Sequence, residues 1–114
     1  MRLTKDAYFL KMLELVAARS TCKRRSVGAI IVDGHGRVLS TGYNGGPAGF
    51  VHCIDEPCGG ALDTAGNTEK CEAIHAEQNA ILQCHRLDLA RTLYVSISPC
   101  FTCAKLIANT SIGL

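Results

Sequence analysis

The chain has 114 residues, a formal net charge of +2 and a sequence pI near 8.2, which is the size of one domain, expected over 1–114. With 47% hydrophobic residues it can bury a core, but a modest one, to which a bound metal or a second subunit would add stability. A balance this close to neutral does not imply nucleic-acid binding or a polybasic membrane surface, and no nucleic-acid partner is expected; no run approaches the roughly 18–20 apolar residues of a membrane-spanning helix.

The first segment, MRLTKDAYFLKMLELVAARS, is interrupted by Lys5, Asp6, Lys11 and Glu14. It reads as an amphipathic helix from about Thr4 to Ser20, not as a signal peptide, and the expected compartment is the reducing cytoplasm. Phe9, Leu13, Val16 and Ala17 supply its apolar stripe. SVGAIIVD at 26–33 reads as a buried strand, GHG at 34–36 as a turn, and RVLSTGYN at 37–44 as the returning strand of a hairpin. From 45 to 69 the chain is loop-like, with six glycines and two prolines, long enough to need a function or a staple. A second helix is expected over about Ile74–His85, a third strand over 92–98, and a third helix from Pro99 or Cys100 to about Asn109, with Pro99 suited to a helix start. The order α-β-β-α-β-α predicts an α/β fold, a mixed sheet with helices on its faces. SIGL at 111–114 reads as the start of a fourth strand, so the architecture is expected to be truncated at its C-terminus.

Seven cysteines stand in this short chain. The number is odd and no export signal precedes them, so metal binding or catalysis is favoured over disulfides. Cys100 and Cys103 are spaced C-x-x-C at a predicted helix start, where one turn brings both sulfurs to one point and the helix N-terminus favours thiolates. Thiolates bind zinc at about 2.3 Å, and a site with only three protein ligands leaves a fourth position open for water. His75 is the natural third ligand. Glu77 is not expected to be a ligand: two helical residues turn the side chain by roughly 200°. If the metal lies over the helix N-terminus, Glu77 still reaches the water and acts as its base. Alone, His75 would read as a core histidine, and C-x-x-C as a redox pair or half of a zinc ribbon. Together they spell H-A-E followed by P-C-x-x-C, and H-x-E…P-C-x-x-C is the general signature of zinc-dependent nucleobase deaminases.

Four further cysteines, Cys22, Cys53, Cys58 and Cys71, suit in number a closed structural zinc site of four thiolates. Four unrelated buried thiols are the alternative, and His52 is a substitute ligand. Cys84 reads as a small core residue, and His35 and His85 as surface positions without a role. Ser96 and Ser98 read as polar sheet positions, with Ser98 near the pocket rim.

At this point the chain resembles the cytidine/deoxycytidylate deaminase superfamily, and within it the deoxycytidylate deaminases of bacteria and phages, including the competence-operon type. The matching stretches are RSTCKRRSVGAIIV at 19–32, TGYNGGPAG at 41–49, HCIDEPC at 52–58, CEAIHAEQNAILQC at 71–84 and YVSISPCFTCAKLI at 94–107. HAE and PCFTC are shared across the superfamily; the GYNG and HCIDEPC loops narrow it. The resemblance implies a cytidine-deaminase-like three-layer α-β-α fold with a five-stranded mixed sheet. It implies conversion of dCMP and water to dUMP and ammonia, supplying dUMP for thymidylate synthesis. It also implies a homo-oligomer, typically a hexamer, activated by dCTP with Mg2+ and inhibited by dTTP. Carried over, His75, Cys100 and Cys103 hold zinc, Glu77 shuttles protons, and a second zinc sits among the other cysteines. Asn44 and Gly45, in GYNG, belong to the nucleotide and effector loop. The run Lys23, Arg24 and Arg25 is either a solvated face or a contact for nucleotide phosphate, which the arginine fork suits. Competing readings are a zinc deaminase of guanine, of a riboflavin precursor or of tRNA adenosine, a zinc-stapled binding module, and a regulatory subunit that binds nucleotide without turnover. An acid beside an open metal position argues against the binding module, which has no use for it.

Overall fold

Helix α1 (Lys5–Ala17) starts where the Thr4 hydroxyl accepts the Ala7 N–H at 3.2 Å, satisfying one of the donors that a first turn leaves free. The structure is a computed structural model and describes residues 2–21, 25–45 and 74–112. The other elements are strands β1 (Gly28–Asp33) and β2 (Val38–Tyr43), helix α2 (Ala76–Gln83), strand β3 (Ala90–Val95) and helix α3 (Phe101–Ala108). A 3₁₀ turn, Leu87–Leu89, leads into β3. Among the described residues, no helix is long and apolar enough to cross a membrane.

The described strands form one sheet in the order β2-β1-β3, antiparallel throughout. The parallel partner that a mixed sheet requires is not among them. β1 is the central strand, and its alternation divides the core in two. Ile30 and Val32 face α1, where Phe9 and Leu13 cover them with Met12, Val16 and Tyr94 alongside. Ala29 and Ile31 face the opposite layer and pack with Ala76 and Ala80 of α2, Leu93 of β3 and Ile107 of α3. Both faces of β1 are therefore dry, which is why GAIIVD is continuously apolar until Asp33 instead of alternating. The expected α-β-α layering follows.

Element ends differ from the sequence reading in instructive ways. The first helix stops at Ala17, and the inward stripe is Phe9 and Leu13, with Val16 and Ala17 only half-buried. The third strand starts at Ala90 and ends at Val95, so Ser96 is not a strand position. Its backbone N–H still donates to the Gly28 carbonyl at 3.1 Å, while its hydroxyl accepts the Gly28 N–H at 3.0 Å, so the β1–β3 pairing runs on by two bonds. Pro99 does not open the last helix: it precedes the N-cap, Cys100, and Phe101 is the first helical residue. Cys84 lies just past α2 and packs against the core as a half-buried side chain. His35 is exposed in the hairpin turn, where Asp33 accepts the N–H groups of His35 and Arg37 at 2.8 and 3.0 Å. The bond from Arg37, ahead of the others, holds the Asp33 carboxyl below its ordinary value. Gly36 has φ +79°, which a side chain rarely adopts. His85 is exposed in the turn before the 3₁₀ segment.

The seat of α2 on the sheet depends on small residues. Ala76 and Ala80, one turn apart, meet Gly42 of β2, and a Cβ at Gly42 would overlap the Ala76 carbonyl and stand 2.5 Å from Ala80 N. Two hydrogen bonds fix the contact: Ser40 Oγ donates to the Ala80 carbonyl at 2.5 Å and Asn79 Nδ2 to the Tyr43 carbonyl at 2.8 Å. Gly42→Ala is expected to force α2 outward at a cost of about 1–3 kcal/mol. That is a fall of roughly 5–20 °C in the thermal midpoint, read by calorimetry; an unchanged midpoint would refute the close packing.

Candidate metal centre

Two helix N-termini and the end of β3 meet at one edge of the sheet. α2 arrives there through a two-bond bridge in which Gly45 N–H donates to the Ile74 carbonyl at 3.1 Å and Ile74 N–H to the Gly45 carbonyl at 2.7 Å. The next residue, His75, is the N-cap of α2, with φ −66° and ψ 152°. Its own N–H donates to Gln78 Oε1 at 3.0 Å, so the chain enters the helix with a fixed bend. His75 is therefore not inside a helix, and the 200° separation expected between His75 and Glu77 does not apply. His75 leaves the helix end sideways, while Glu77, the second helical residue, turns inward and is 5% exposed.

α3 brings the sulfurs. Cys100 is its N-cap, exposed, and its Sγ accepts the Cys103 N–H at 3.5 Å. Cys103, the third helical residue, is completely buried. His75 Nδ1 lies 3.2 Å from Cys103 Sγ and 3.5 Å from Cys100 Sγ, and the three ligand atoms lie within 4.8 Å of one another. Tetrahedral zinc, with bonds of about 2.05 Å to nitrogen and 2.3 Å to sulfur, separates such atoms by about 3.6 Å. The donor set and its spacing thus fit zinc with one position left over.

Burial pushes the Cys103 thiol well above its ordinary range, and Cys100 and the Glu77 carboxylate add to the rise. The buried Glu77 is thus among the groups that act on this sulfur. A raised thiol pKa means that the metal must displace a proton from Cys103 throughout the physiological range. Zinc affinity is expected to fall by about tenfold per pH unit from this group alone as pH drops from 8 to 6. A competitive chelator titration measures it, and a flat profile would contradict ligation by the Cys103 thiolate.

Asn44 is also brought to this edge, but its amide is turned into the chain. Oδ1 accepts the Val27 N–H at 2.9 Å and Nδ2 donates to the Arg25 carbonyl at 2.8 Å. One amide hydrogen and one lone pair are left over from these two bonds. Arg25 is exposed and adjacent. Gly45 is held in the bridge to Ile74, and a Cβ there would stand 2.6 Å from the Thr21 hydroxyl. Cys22, Cys53, Cys58, Cys71, His52, Lys23 and Arg24 lie outside the described residues. Sequence reasoning missed Gly42, Asn79, Ser40 and Gln78. Only Gln78 carried a readable signal, standing three residues after an N-cap, and histidine is not a residue expected to cap.

The family model for the cytidine and deoxycytidylate deaminase zinc-binding region matches residues 3–113. The deoxycytidylate deaminase of Mycobacterium phage D29 is 44% identical over 114 residues, covering 94% of this chain and 88% of that one. ComE operon protein 2 of Bacillus subtilis is 43% identical over 97% of this chain, which spans 57% of its length. Among solved structures, the dCMP deaminase of cyanophage S-TIM5 in complex with dCMP and dUMP superposes with a TM-score of 0.76 at 33% identity, covering 98% of this chain and 79% of that one.

Proposed function

The chain belongs to the cytidine and deoxycytidylate deaminase family, and from that premise we propose that it converts dCMP and water to dUMP and ammonia, with His75, Cys100 and Cys103 holding zinc and Glu77 moving the protons. The observation that carries the reading is the convergence of His75, Cys100 and Cys103 with the buried Glu77 carboxylate alongside. The names of the relatives, and the dCMP and dUMP bound to the cyanophage enzyme, support the choice of substrate.

Zinc, when bound, supplies the Lewis acidity that makes water a nucleophile near neutral pH. Glu77 accepts the proton of the attacking water, delivers it to ring N3, and passes a proton to the amine leaving C4. Its burial leaves it little choice of partner and keeps bulk water from competing for the proton. Asn44 offers its remaining amide hydrogen to the nucleotide, Gly45 brings backbone close to it, and Arg24 and Arg25 meet its phosphate.

The proposal extends to regulation and assembly by family resemblance: activation by dCTP with Mg2+, inhibition by dTTP, a homo-oligomer, a second zinc on Cys22, Cys53, Cys58 and Cys71, and action in the cytoplasm. The test is ammonia release from dCMP by zinc-loaded protein, with and without dCTP and Mg2+, beside CMP, deoxycytidine and guanine. Turnover of dCMP alone, stimulated by dCTP, is expected. Preference for another substrate overturns the choice of dCMP, and nucleotide binding without ammonia release supports the regulatory subunit.

A further inference from the structure

The two sulfurs of the candidate metal centre are also a C-x-x-C pair set across the first turn of α3. Cys100 is exposed at the N-cap and Cys103 is buried at the third helical position. Their sulfurs lie within 4.8 Å of each other, and the Cys103 N–H points at Cys100 Sγ. A disulfide needs an S–S distance of about 2.05 Å. Cys100 is exposed, so its side chain can swing towards Cys103 without displacing core atoms. Tetrahedral zinc would instead hold the two sulfurs about 3.8 Å apart. The same two sulfurs serve both states, and each state excludes the other.

We infer that Cys100 and Cys103 form an oxidation site: without metal, a peroxide joins them in a disulfide, and bound zinc prevents it. The Cys100 sulfur attacks one peroxide oxygen, the O–O bond breaks, and the departing hydroxide leaves as water with the thiol proton. The Cys103 sulfur then displaces the remaining oxygen, which leaves as a second water carrying the Cys103 proton. Two thiols lose two electrons to form one S–S bond, and hydrogen peroxide gains them to give two waters. The zinc half of this inference rests on the ligand reading above; the disulfide half rests on the sulfur geometry alone.

Trypsin cleaves after Arg91 and Lys105, giving a peptide, TLYVSISPCFTCAK, in which Cys100 and Cys103 are the only cysteines. Full-length protein, stripped of metal or loaded with zinc, is treated with one equivalent of hydrogen peroxide, alkylated, digested and weighed. Metal-free protein is expected to yield this peptide two hydrogen atoms lighter and unalkylated, and to regain its full zinc content only after reduction by a dithiol. Zinc-loaded protein is expected to yield it intact and doubly alkylated. Free thiols, added oxygen or a bridge to another cysteine in the metal-free sample would overturn the disulfide. Equal oxidation with zinc bound would overturn the exclusion. Neither readout is ammonia release, so a chain that fails to deaminate dCMP leaves both results standing.

Discussion

Glu77→Gln is expected to retain zinc in full and to lose turnover of dCMP by about 10²–10⁴-fold or more, the range for a lost general acid–base. The amide fills the same volume and keeps a carbonyl oxygen towards Cys103, but it neither accepts nor delivers a proton. Zinc by atomic absorption and ammonia by a coupled assay separate the two effects. Turnover at the parent level would remove Glu77 from the mechanism. A simultaneous loss of zinc would show that the carboxylate supports the metal site and does not act on substrate. Glu77 is 5% exposed, so the variant also reports on folding. Removing a buried charge without changing shape is expected to leave stability unchanged or raised.

Cys100→Ser is the second large effect. Serine is a preferred N-cap, and its hydroxyl accepts from the Cys103 N–H as the sulfur does. Helix α3 is therefore expected to keep its start while one thiolate ligand disappears. Changing residues that merely orient ligands costs about 10–100-fold in metal affinity, so losing a ligand should cost more than about 100-fold, with turnover lost in parallel. The same substitution at Cys103 would confuse metal loss with core damage, because Cys103 is fully buried. Full zinc retention by Cys100→Ser would refute the ligand set.

The chemistry was more legible in the sequence than the geometry that delivers it. H-A-E and P-C-F-T-C could be read as ligands and base because few other uses explain those residue types together. That His75 caps α2 could not be read, since propensity expects serine, threonine, aspartate or asparagine there and periodicity blurs at helix ends. Helical rotation, the argument that kept Glu77 out of the ligand set, does not apply once His75 is the cap; its expected reach to the water rested on a metal over the helix N-terminus. β1 was recognisable from an unbroken apolar run, and its two buried faces explain why. β3 was shifted because Ser96 looks like a polar strand residue when it is in fact a hydrogen-bond acceptor for Gly28. Gly42 is one of 11 glycines, and its necessity appears only when α2 is laid against it.

The bridge between Gly45 and Ile74 has an architectural consequence. Gly45 and Ile74 hold each other by two backbone hydrogen bonds, as a clasp does. The clasp fixes where α2 begins: Ile74 is tied to a residue just past the end of β2, so His75, one residue on, is set against the sheet before the helix starts. A change that loosens this bridge is expected to move His75 away from the two sulfurs although none of the three donors is altered.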